Sequence, residues 1–163
     1  MKYIIVFLFS LVFSFNSSAQ EKPMYLQQNT PPPAVLLLAD STTKWNLKAK
    51  LEKEKPLLIM FFSPECDHCQ HETEALIKNI NKFKGIQIVM ATTRPLWEMK
   101  AFAQKYGLNK HGITVGKDIA YVIPSYYEMK NLPYLAFYNK DKKLISTFEG
   151  SLGIPSILKA FGR

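Results

Sequence analysis

Apolar residues fall in short runs along this chain, separated by proline, glycine and polar turn residues. Val35-Leu36-Leu37-Leu38-Ala39 predicts a short edge strand. Asp40 or Ser41 is suited to cap a helix from Thr42 to Lys55, with Trp45, Leu47 and Leu51 on its apolar side and Pro56 at its end. Leu57-Leu58-Ile59-Met60-Phe61-Phe62 is unbroken apolar sequence between Pro56 and Ser63-Pro64. Such a run predicts a central strand buried on both faces. A helix from Cys66 to Phe83 follows, with Ala75, Leu76 and Ile80 facing inward and Gly85 stopping it. Ile86–Ala91 predicts a second buried strand, and Pro95 opens a helix that runs to Tyr106.

The stretch from His111 to Asn131 is less regular. Ile113–Val115 predicts a short strand and Pro124–Met129 a short helix. Tyr134–Tyr138 and Leu144–Phe148 flank the turn residues Asn139-Lys140-Asp141-Lys142 and predict an antiparallel hairpin. Ile154–Phe161 predicts a last helix that packs Ile157, Leu158 and Phe161. Strand, helix, strand, helix and then a hairpin imply an α/β fold. Its central mixed sheet has parallel pairs joined by right-handed crossovers and helices on its faces.

The N-terminus reads differently. Lys2 precedes an apolar run from Tyr3 to Phe15, about 13 residues long. That is short of the roughly 20 residues a membrane-spanning helix needs. Small residues at Ser17 and Ala19 match a signal-peptidase site, so residues 1–19 are expected to be a signal peptide cleaved after Ala19. Residues 20–33 are polar, end in Pro31-Pro32-Pro33, and are expected to form a flexible lead-in. Residues 34–163 are expected to form one domain, exported and periplasmic. Lys and Arg number 21 against 13 Asp and Glu, a formal charge of +8. The lysines are dispersed beside acidic residues and turns, as solvated faces are. No basic stripe interleaved with aromatics points to nucleic acid.

Both cysteines of the chain lie in Cys66-Asp67-His68-Cys69. A disulfide across so short a loop removes little unfolded-state entropy, so a structural staple there is weak. The placement favours chemistry instead. At a helix N-terminus, unpaired amides and the helix dipole favour an anion, and the thiolate is the reactive form of cysteine. Cys69, one turn further in, can reach Cys66 yet be sheltered. An exposed attacker and a sheltered resolver are what disulfide exchange needs. His68 favours the Cys66 thiolate, while Asp67 and Glu65 oppose it. Glu72 follows Cys69 on the same helical side, suited either to exchange a proton with it or simply to complement the dipole.

Cys66, His68, Cys69 and His71 also invite a metal reading. A structural zinc site takes four tetrahedral ligands, but a regular helix turns His71 away and no second cluster completes the set. No cofactor or metal is expected. His71 and His111 are expected at the surface. Pro133 has two readings: plain punctuation at a strand start, or a cis proline holding backbone next to the sulfurs.

Phe61-Phe62-Ser63-Pro64-Glu65-Cys66-Asp67-His68-Cys69, with Leu132-Pro133-Tyr134 downstream, resembles the thioredoxin superfamily. The layout is similar to its TlpA/ResA-like extracytoplasmic branch. The gap from Cys69 to Pro133 is 64 residues and holds an extra helix-and-strand insertion, as in that branch. Glu72 matches an acidic residue that some of its members carry. The resemblance implies a thioredoxin fold, Cys66 as the attacking cysteine, Cys69 as the resolving one, and Pro133 as the cis proline opposite them. There are departures. Glu65 stands where Trp is frequent, and Leu132 where Thr or Val is usual. Met60 replaces the buried Asp of plain thioredoxins, which puts more weight on Glu72 as proton carrier.

The expected function is that of a thiol–disulfide oxidoreductase acting on exported proteins. The branch implies a reductant, in cytochrome c maturation or general thiol exchange, with protein disulfide or dithiol partners and a membrane thiol-reducing electron donor. Two alternatives use the same sulfurs. One is a disulfide oxidase, since a Cys-x-His-Cys loop resembles those of oxidising enzymes. The other is a copper-binding thioredoxin-like module with His68, Met129 or Met60 as further ligands.

Overall fold

Leu57–Phe61 is the centre of the structure, and all of its side chains are buried. The computed structural model describes residues 21–163; the expected signal peptide at 1–19 lies outside the described residues. In chain order the elements are α1 (Met24–Gln28), β1 (Val35–Leu38), β2 (Lys44–Asn46), β3 (Leu57–Phe61), α2 (Asp67–Lys78), β4 (Gln87–Thr92), α3 (Leu96–Lys105), β5 (Thr114–Asp118), α4 (Val122–Tyr127), β6 (Tyr134–Tyr138), β7 (Leu144–Glu149) and α5 (Ile154–Ala160). The strands form one mixed sheet in the order β2-β1-β5-β4-β3-β6-β7. The β3–β4 and β4–β5 pairs are parallel, and the remaining pairs are antiparallel.

Alternation along β3 splits the core into two layers. Leu58, Met60 and Phe62 pack with Cys69 and Leu76 of α2, Met99 and Phe102 of α3, and Ile157 of α5. Leu57, Ile59 and Phe61 pack on the other side with Ile123, Tyr126 and Tyr127 of α4. Parallel β3–β4 and β4–β5 pairing, with β6 antiparallel to β3, brings the ends of β3, β4 and β5 and the start of β6 to one end of the sheet, where the Cys66–Cys69 motif lies.

Several boundaries differ from expectation. Residues 42–55 are not a helix. The Asp40 carboxylate that was expected to cap one instead accepts the amides of Thr42 (3.0 Å) and Thr43 (2.8 Å) and closes a turn between two strands. Trp45 then pairs opposite Leu36, so β1 is an inner strand and β2 the edge. Only a 3-10 turn, Lys48–Lys50, remains of the expected helix. α2 stops at Lys78, and Ile80–Phe83 is a separate 3-10 turn. α4 starts ahead of Pro124, which occupies its first turn, where a missing N–H leaves no helical hydrogen bond unmade.

The lead-in also differs from the flexible tether expected. α1 forms within it, Tyr25 packs 5.6 Å from Tyr127 between ring centroids, and Pro31 and Pro32 are buried. The Thr30 carbonyl accepts from the hydroxyls of Tyr126 (2.6 Å) and Tyr138 (3.3 Å). Apolar burial and these hydrogen bonds dock the segment on the α4 face of the sheet.

Candidate active site

The motif sits where β3 hands the chain to α2. Ser63-Pro64-Glu65-Cys66 is a tight turn closed by the Cys66 amide donating to the Ser63 carbonyl at 3.1 Å. Proline at its second position matches the φ such a turn requires. Gln70 reaches back from the helix to donate to the Pro64 carbonyl at 2.8 Å. Cys66 is the N-cap of α2, and its sulfur accepts the Cys69 amide at 3.3 Å. The sulfur thus meets one of the orphan amides that make a helix start an anion site.

The two thiols are unequal. Cys66 is half-buried and Cys69 is 0% exposed. Burial pushes the Cys69 thiol well above its ordinary range, and the Cys66 sulfur beside it adds to the effect. On the far side of Cys66, its Sγ–H donates to the Leu132 carbonyl at 3.9 Å. The Leu132–Pro133 peptide is cis, and Pro133 is buried. The expected attacker, resolver and proline are therefore brought together.

Glu72 is 4% exposed on α2. Its Oε2 accepts the amides of Leu152 (2.9 Å) and Gly153 (3.3 Å), and its Oε1 is buried without a protein partner. His68 lies exposed in the first turn of α2, and its carbonyl accepts from Ser151 Oγ at 3.3 Å. Glu65 is not a free charge beside the cysteine, because Arg94 contacts its Oε2 at 3.0 Å and that of Glu98 at 3.0 Å. Arg94 escaped the sequence reading, since it lies on the β4–α3 connection and carries no motif. Beside Pro64 and Gln70 opens a cleft of about 450 Å³, walled by Ala101, Lys105 and Trp97. Trp97 is 70% exposed.

The residues weighed for copper are scattered. Met60 is a core residue in the layer that holds Cys69, whereas Met129 packs against the opposite layer. His71 and His111 are exposed, as expected. Among the described residues, no group of three or more His, Cys, Asp and Glu side chains is arranged to hold a metal ion. Among the described residues, no helix is long and apolar enough to cross a membrane.

Comparison with known proteins agrees with this geometry. A family model described as AhpC/TSA matches residues 29–149. No curated protein matches the chain by sequence. Among solved structures, the chain is similar to a secreted Mycobacterium tuberculosis disulfide oxidoreductase homologous to E. coli DsbE. That match has 21% identity and a TM-score of 0.63 over 80% of this chain and 92% of the other. It is similar to the exposed lipoprotein thioredoxin Etrx1 of Streptococcus pneumoniae, at 18% identity and TM-score 0.62 over 77% and 94%. StoA of Bacillus subtilis matches at 14% identity and TM-score 0.59 over 78% and 96%. At these identities the structures speak for the fold. The chain belongs to the AhpC/TSA family and, with a thioredoxin fold built around a Cys-x-x-Cys helix start, is a thiol–disulfide oxidoreductase.

Proposed function

We propose that this protein is exported and reduces disulfides in other exported proteins. The Cys66 thiolate attacks one sulfur of a client disulfide, forming a mixed disulfide and releasing the other client sulfur as a thiolate. Cys69 then gives up its proton and attacks Cys66 Sγ. The second client thiol leaves, and the 66–69 disulfide holds the two electron equivalents of oxidation. A membrane thiol-reducing donor restores the dithiol.

Glu72 is the proton acceptor for Cys69 in this scheme. It is the buried carboxylate next along the same helix, and one of its oxygens is unengaged by the protein. His68 lies two residues after the attacking cysteine, and the cis Leu132–Pro133 peptide forms the opposite wall. The observation that carries the reading is the inequality of the two thiols: Cys66 open at a helix N-terminus, Cys69 sealed beneath it. The reductive direction is what the resemblance to the TlpA/ResA-like branch implies.

Equilibration with glutathione tests the direction, with a couple far more reducing than glutathione as the expected result. A couple on the oxidising side would overturn it. Cys69→Ser in cells should trap the mixed disulfide for mass spectrometry. Capture of a haem-binding apoprotein assigns the protein to cytochrome c maturation, and capture of many unrelated exported proteins assigns it to general exchange. N-terminal sequencing of the cell-envelope form should start at Gln20.

A further inference from the structure

Glu149 ends β7, and its carboxylate grips the backbone of the loop that leads to Pro133. Oε1 accepts the Lys130 amide at 3.2 Å, and Oε2 accepts the Asn131 amide at 3.1 Å and Asn131 Nδ2 at 3.0 Å. The next residue, Gly150, donates its amide to the Pro133 carbonyl at 2.8 Å. Gly150 does so at φ +93°, a conformation that favours glycine. Consecutive residues thus hold the chain on both sides of Leu132, whose carbonyl faces Cys66 Sγ. The same stretch continues onto α2, through Ser151 to the His68 carbonyl and through Leu152 and Gly153 to Glu72. Glu149–Gly153 therefore braces both walls of the site.

We infer that Glu149 is a positioning residue for disulfide exchange, setting where the Leu132 carbonyl stands relative to the Cys66 sulfur. The inference rests on the protein's being a thiol–disulfide oxidoreductase. Attack requires the client S–S bond to line up with Cys66 Sγ. A client sulfur bonded to Cys66 lies against Leu132, so the polypeptide around it must fit that wall. Residues 128–133 form no regular element of their own. Their position thus depends on outside anchors, and charge-assisted hydrogen bonds to amides are the stronger kind. A small disulfide with no chain on either side needs only Cys66.

The test compares wild type, Glu149→Ala and Glu149→Gln on insulin disulfides and on 2-hydroxyethyl disulfide. Glu149→Ala should lower kcat/KM for insulin about tenfold, the scale of loss expected from a sub-ångström to ångström misplacement. Its rate with 2-hydroxyethyl disulfide should hold within about twofold, given that this substrate does not use the wall. Glu149→Gln should keep most of the insulin rate, because its amide oxygen can still take both Asn131 contacts. Hydrogen exchange at the Lys130 and Asn131 amides should speed up in Glu149→Ala. A fraction of unfolded protein lowers both substrate rates alike, so the split between them reads positioning and not stability. Equal losses on both substrates, or an unchanged insulin rate, overturn the inference alone. Wild type inactive on both substrates overturns the exchange reading and this inference with it.

Discussion

Glu72 Oε2 accepts the Leu152 amide at 2.9 Å, joining residues 80 positions apart in the chain. The contact fixes the Cys-x-x-Cys helix to the segment between β7 and α5. It also gives Glu72 two duties, an anchor through Oε2 and an unengaged oxygen at Oε1.

Those duties separate by substitution. Glu72→Ala strips the Leu152 and Gly153 amides of their acceptor and is expected to cost on the order of 3 kcal/mol in a urea titration. Glu72→Gln keeps an acceptor and should cost about 1 kcal/mol. Both should slow resolution of a preformed mixed disulfide by about a hundredfold, because neither can take the Cys69 proton. Wild-type resolution in Glu72→Gln would end the proton-transfer role.

Alkaline pH should distinguish the redox forms. The buried Cys69 thiol titrates above its ordinary 9.0, chiefly through desolvation. A folded pKa above the unfolded one gives stability that is fully present below the unfolded value and is lost as pH rises through the folded value. The 66–69 disulfide has no such proton. Burial also raises Tyr134, to about 12, and Tyr127 and Tyr138 as well, but the tyrosines act in both forms. The Tm of the dithiol should therefore fall relative to that of the disulfide as pH passes from about 8 to about 10.5, across the ordinary thiol pKa. Parallel curves in a calorimeter would contradict the burial argument.

Gly116 packs its backbone against β1. A Cβ there would stand 2.6 Å from Leu36 Cβ, so Gly116→Ala must push the strands apart. The expected loss is about 1–3 kcal/mol by urea titration. Adding Leu36→Ala should not relieve it, because the clash is with Cβ itself. Recovery in the double variant would mean that the γ and δ carbons set the contact.

Removing the lead-in should destabilise the fold. A chain starting at Ala34 loses the Thr30 carbonyl that serves the Tyr126 and Tyr138 hydroxyls, along with the burial of Pro31 and Pro32. The cost should be about 2–4 kcal/mol, read as a lower urea midpoint. An unchanged midpoint would show that residues 21–33 contribute nothing to stability.

Much of the fold was readable along the chain. Leu57–Phe62 declared a buried strand because every position is apolar, Ile86–Ala91 did so with Gln87 as its one polar position, and the turn at Asn139–Lys142 declared the β6–β7 hairpin. The error at 42–55 has a specific cause. An aspartate before Thr42 and Thr43 caps a helix or closes a turn with the same hydrogen bonds, and pairing of Trp45 with Leu36 decided between them. α4 begins at Val122, ahead of the expected Pro124, because the Asp118 carboxylate at the end of β5 accepts the Ile123 amide at 2.7 Å.

The chemistry at the cysteines was legible in the chain, because a strand, a turn, a helix start and two sulfurs are contiguous there and act through local geometry. What surrounds them comes from packing. The Leu132 carbonyl, the Arg94 guanidinium and the Glu149 brace reach the site from other strands and loops, and a side chain's partner across the sheet leaves no periodic mark in the chain. Long-range hydrogen bonds depend on the register of whole elements, and packing sets that register.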